Sequence, residues 1–190
     1  MTKISIASFS LAWCLSVAAA VPAARAQGMS PSDPAPVGTT VSSEIHCGSN
    51  PVSLEPYDVK VTLLQVVRGR QAWEMLQAAD AAARPADPDS EYILARMRFE
   101  LRAKIAPGNK SFELGSPMQL VAMSADGREY AAAPVTAPQP ALRGPLRAGE
   151  SREGWVAFLV EKRDRHPLLA FDPASGGATL RGKILWFQLY

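Results

Sequence analysis

Leu146-Arg147-Ala148-Gly149-Glu150-Ser151-Arg152-Glu153-Gly154-Trp155-Val156-Ala157-Phe158-Leu159-Val160 is a glycine-containing turn followed at once by an aromatic-rich strand. Trp155, Ala157 and Leu159 alternate with Val156, Phe158 and Val160, so both faces of the strand are apolar. A strand of that kind is covered on both sides. Trp155 therefore reads as core, since large aromatics dominate core energetics, and the strand reads as a central element of a β fold.

The flanking chain repeats the theme of short strands cut by turns. Downstream, Glu161-Lys162-Arg163-Asp164-Arg165-His166 is a charged turn, Pro167 to Phe171 a short strand and Asp172 to Gly177 another turn. The last strand is expected from Leu180 to Tyr190, with Ile184, Trp186 and Tyr190 on one face and Leu185, Phe187 and Leu189 on the other. It too needs a second cover, for which a helix is available: Gln71 to Ala83 carries Trp73, Leu76 and alanine pairs at helical spacing and ends at Pro85. Upstream, Tyr57, Val59, Val61, Leu63 and Val67 alternate with polar residues, predicting a half-buried strand. From about Glu91 to Ile105 the period of two is clearest, with Ile93, Ala95, Met97, Phe99, Leu101 and Ala103 opposing Arg96, Arg98, Glu100, Arg102 and Lys104. Phe112 to Met123 adds strand material, Asp126-Gly127 signals a tight hairpin turn, and the prolines between Ala131 and Pro145 predict a long connection between sheets.

Lys3, an apolar run from Ile4 to Ala20 and Ala24-Arg25-Ala26 read as a secretory signal cut before Gln27. A lipoprotein cysteine at Cys14 is disfavoured by Trp13, which occupies a position where that signal wants a small residue. Removing residues 1–26 leaves 164 residues, room for one domain. It also takes Lys3 and Arg25 from the 20 basic residues, so 18 Lys and Arg balance 18 Asp and Glu. A neutral mature chain lacks the positive field of nucleic-acid binders, and it contains no transmembrane segment. Cys47 is its one cysteine, which excludes an internal disulfide and leaves a buried thiol or a disulfide-linked dimer. Residues 27–55 read as a flexible leader of Pro, Ser, Gly and Thr, and 56–190 as the domain. The expected fold is mainly β, an immunoglobulin-like antiparallel β-sandwich with one short helix (about Gln71-Ala83).

Tyr57-Asp58-Val59-Lys60-Val61, Gly69, Ala72-Trp73, Tyr92-Ile93-Leu94, Asp126-Gly127 with Tyr130, Gly149-Glu150, Gly154-Trp155-Val156-Ala157-Phe158, Pro167-Leu168-Leu169-Ala170-Phe171 and Trp186-Phe187 together resemble a bacterial family. It is the exported and lipoprotein-borne domain family of unknown function with a telokin-like, immunoglobulin-type sandwich, akin to a secreted mycobacterial immunoprotective antigen. The resemblance covers about 56–190. It implies a fold and an extracytoplasmic place, and no catalytic residues.

For chemistry, the mature chain offers His46, His166 and Cys47. His46 and Cys47 are sequence neighbours that an ordered strand would point to opposite faces. No Cys-x-x-Cys or His-x-His spacing supports a metal site, and Asp87-Pro88-Asp89 lacks the ligand alternation of a calcium loop. The expectation is a non-enzymatic, extracytoplasmic interaction module of the bacterial cell envelope, periplasmic or secreted, without cofactor. Its protein, glycan or lipid partner would meet Trp73, Trp186 and Tyr190, or the Arg96, Arg98 and Arg102 face. The competing reading of that face is a solvated sheet surface, which Glu100 favours. The alternative function is small-ligand or metal handling through His46 and Cys47.

Overall fold

The computed structural model describes residues 27–48, 50–105, 110–115, 118–176 and 180–190; residues 1–26, expected to be a secretory signal, lie outside them. The chain is mainly β. Strands β1 (Thr40–Gly48), β2 (Leu54–Arg68), β3 (Ser90–Ala103), β7 (Ser151–Glu161) and β9 (Leu180–Gly182) form a curled antiparallel sheet in the order β7-β3-β2-β1-β9. Strands β5 (Leu120–Met123), β8 (Leu168–Phe171) and β10 (Leu185–Gln188) form a second sheet in the order β10-β8-β5. β4 (Ser111–Leu114) pairs with β6 (Gly144–Arg147). The main core draws on all three sheets: Phe171 on β8 meets Phe99 on β3 edge-on at 4.9 Å and Phe112 on β4 at 6.0 Å.

Helix α1 (Gly69–Ala79) follows β2 without a linker and covers one end of the opposite face of β2 and β3. Val67, Ala72, Leu76, Tyr92, Leu94 and Trp155 make a second buried cluster there. Trp73 stacks on Tyr92 at 6.0 Å. The helix stops before Pro85 because Asp80 leaves helical geometry and its carboxylate accepts the Ala82 N–H at 2.9 Å, an Asx-type turn.

Several expectations need correction. Residues 27–55 are largely built into the fold: β1 lies between β2 and β9, with Val41, Ile45 and Cys47 buried. Ahead of it, Gly28 and Ala35 exchange backbone hydrogen bonds with Trp186, so 27–35 lines the edge of β10. Backbone groups of β2 and β10 would otherwise lie unpaired, and this segment satisfies them. Val67 does not share a face with Tyr57, Val59, Val61 and Leu63: the register shift between Leu63 and Gln65 inserts one residue and reverses the alternation. The last strand is two. β9 joins the large sheet and β10 the small one, and α1 packs on β2 and β3 without covering β10.

The strand of Trp155 is apolar on both faces, with Phe158 and Val160 in the main core and Trp155 in the helix-side cluster. Yet β7 is an edge strand. Where a neighbouring strand would stand, the proline-rich connection bridges it twice, at Ala132 opposite Phe158 and at Ala141 opposite Trp155. Trp155 N–H donates to Pro140 O at 2.8 Å and Leu142 N–H to Trp155 O at 3.1 Å. Gly154 permits this seating, because a Cβ there would stand 2.6 Å from Leu142 N.

Candidate functional site

Ala132 and Ala141 lie nine positions apart, while their partners on β7, Phe158 and Trp155, are three apart. The surplus chain bows away from the strand. Its prolines lack the N–H a strand ladder needs, and Ala133, Val135 and Ala137 lean on the helix-side cluster. Between this strap, β5 and β7 lies a cleft of about 500 Å3. Trp155, Val156, Ala157 and Phe158 line it from β7, Val121 and Ala122 from β5, and small residues of the strap close the third side. A preformed concavity of that size, with apolar walls and polar residues Glu129, Thr136 and Arg143 among its lining, falls in the range of small-molecule sites.

Of the polar side chains that reach it, Tyr130 is the one held in place. Tyr130 is buried, and its hydroxyl donates to Asp164 Oδ2 at 2.7 Å. Burial first, then the Asp164 hydrogen bond, pushes the phenol up to about 12, so it stays protonated at neutral pH. Glu129 and Arg143 also line the cleft, and both residues are exposed.

The cationic face of β3 is less cationic than its sequence suggests. Glu153 on β7 sits across from Arg98 and receives both neighbours, Arg96 at 2.5 Å and Arg98 at 2.9 Å. Those guanidiniums, Arg98 first, hold the Glu153 carboxyl below its ordinary value. Arg96 also lies over the Trp155 ring at 6.0 Å. Arg102 is exposed beside Asp58, its partner on β2. The trough on this face is lined by Asp58, Lys60, Arg98, Glu100, Arg102, Glu150 and Glu153, so its charges alternate in sign.

The three aromatics singled out from sequence go to different places. Trp73 is half-buried on α1, Trp186 half-buried on β10 beside 27–35, and Tyr190 stands edge-on to His166 at 4.8 Å. His46 and Cys47 diverge across β1: Cys47 is buried, while His46 reaches Glu44 at 3.3 Å on the half-exposed side. Burial pushes the Cys47 thiol up to about 12, with Glu55 adding to it. The two side chains thus lie on opposite faces of β1, the thiol in the core and the imidazole beside Glu44. Among the described residues, no group of three or more His, Cys, Asp or Glu could hold a metal ion.

The cleft was not legible in the sequence, where 131–145 reads only as a connection; the run Ala131-Ala132-Ala133 was its single trace. No family model and no curated protein matches the chain. Among solved structures it is similar to a Bacillus subtilis protein, ycdA, described as a lipoprotein, at 16% identity and a TM-score of 0.45. That likeness covers 68% of this chain and 35% of the other, so the chain spans about a third of that protein's length. Among the described residues no helix is long and apolar enough to cross a membrane.

Proposed function

We propose that the chain is a non-enzymatic binding module of the bacterial cell envelope, exported by its first 26 residues, with the strap-bounded cleft as its ligand site. The observation that carries this reading is the cleft itself: about 500 Å3 of preformed space against Trp155 and Phe158, held open by small strap residues. Burying apolar ligand surface there yields roughly 25 cal/mol per Å2, without a rearrangement of the fold. The mixed-sign trough is a weaker candidate, because its exposed ion pairs already satisfy one another and such pairs contribute little.

A binding role is also supported by the state of the reactive groups. Cys47 and Tyr130 are both pushed up to about 12 by burial, which keeps them protonated and unsuited to act as nucleophile or base near neutral pH. The architecture we favour is an immunoglobulin-like sandwich of the telokin-like kind, supported by the contact of Phe171 with Phe99 across the two larger sheets.

The test is a fluorescence titration with the neutral apolar dye N-phenylnaphthylamine. The full chain should bind it saturably, and Ala131→Phe, at an exposed strap residue that lines the cleft, should lose binding with an unchanged melting temperature. Equal binding by both proteins, or none by the wild type, contradicts the assignment.

A further inference from the structure

We infer that the cleft takes a short apolar peptide of about three residues with both termini free. This rests on the cleft being the binding site and adds the class of ligand. Glu129 and Arg143 line the cleft and are exposed, and among the described residues neither has an ion-pair partner. The groups around them sharpen the contrast. Arg128, next to Glu129, is engaged by Glu161 at 2.7 Å and lies over Tyr130 at 5.1 Å. Beside Arg143, the Arg152 guanidinium donates to the carbonyls of Arg143 at 3.1 Å and Pro145 at 2.8 Å, adding positive charge there. Glu129 precedes the strap and Arg143 follows it, so one flank of the cleft is negative and the other positive.

The β7 wall between the strap's two anchors has the length of a short extended peptide. The strap meets β7 at Phe158 and at Trp155, a separation of about 10 Å at the usual strand rise. An extended chain of three residues spans about 10 Å. Its carboxylate would face Arg143, its ammonium Glu129, and its side chains the alanine and valine walls. A fatty acid or a simple amine would answer only one of the two charges.

Calorimetric titration of the full chain with Ala-Leu-Ala, its N-acetyl form and its C-terminal amide tests this. The free tripeptide should bind, and blocking either terminus should weaken binding about fivefold, the upper range for an exposed ion pair. Glu129→Gln should no longer distinguish free from acetylated peptide, and Arg143→Gln should no longer distinguish free from amidated; both positions are exposed, and unchanged melting temperatures confirm folding. Equal binding of all three peptides overturns the inference. So does failure to bind Ala-Leu-Ala by a chain whose cleft binds N-phenylnaphthylamine, an outcome that leaves the cleft assignment standing. Binding of neither probe overturns both.

Discussion

Arg68 shows how one side chain ties distant parts of this chain together. It is the residue before α1, and its guanidinium reaches Glu91 on β3 at 2.6 Å, the Asp164 carbonyl at 3.1 Å and the Leu189 carbonyl at 3.4 Å. Removing it orphans a carboxylate and two carbonyls that are largely shielded from water, which costs about 1–3 kcal/mol. Arg68→Ala should therefore lower the urea midpoint clearly. Arg70→Ala breaks only the exposed pair with Glu74 and should change stability by less than about 0.5 kcal/mol. Cys47 gives a second residue-scale prediction. Its thiol, pushed up to about 12 by burial, should resist a thiol-reactive disulfide reagent at pH 8 in the native chain and react fully in urea; rapid native labelling would mean that β1 opens. The same burial opposes a dimer through Cys47, so an oxidised sample should run as monomer on a non-reducing gel.

At the scale of elements, the β3–β7 pair carries an acid-sensitive clasp. Glu153 is held below its ordinary 4.5 by Arg98 and Arg96. Above 4.5 the carboxylate is ionised in both states and the pairing is in force. As pH falls through the lowered native value, the unfolded chain takes the proton first and the stabilisation is lost. Wild-type stability should fall more steeply below pH 4.5 than that of Glu153→Gln; parallel acid profiles would remove Glu153 as the cause. The strap depends on Gly154, where even a methyl group would press on Leu142 N and the Ala141 carbonyl carbon. Gly154→Ala should cost about 1–3 kcal/mol, as overpacking does, and should loosen the strap before it disturbs β3.

For the molecule as a whole, what could be read in advance follows from which forces leave a local trace. The alternation of β3 from Ile93 to Leu101 and the turn at Gly127, with φ +87°, were plain because period and positive φ are written into a few adjacent residues. β1 leaves only a faint local trace although Val41, Ile45 and Cys47 alternate with polar residues, because Ser43 interrupts the pattern and the flanks are rich in Pro, Ser and Gly. Its order comes from pairing with β2 on one side and, on the other, with β9, a partner far along the chain. The two apolar faces of 155–160 place Trp155 in the core but cannot show that a strap stands in for a neighbouring strand. The cleft was invisible for the same reason: small strap residues acquire meaning only once the chain bows away from β7.

A chain lacking residues 27–48 should lose cooperative unfolding, since β2 would expose its backbone edge and the core would lose Val41, Ile45 and Cys47. Trp155→Ala should cost about 3–5 kcal/mol, so loss of binding in that variant is informative only if its melting temperature is preserved. The most direct measurement is an amide chemical-shift map of the full chain titrated with N-phenylnaphthylamine. The shifts should concentrate in 131–143 and Trp155–Phe158. Shifts gathered instead on Arg96, Arg98 and Arg102, or around Trp73, Trp186 and Tyr190, with the cleft amides unmoved, would contradict the account.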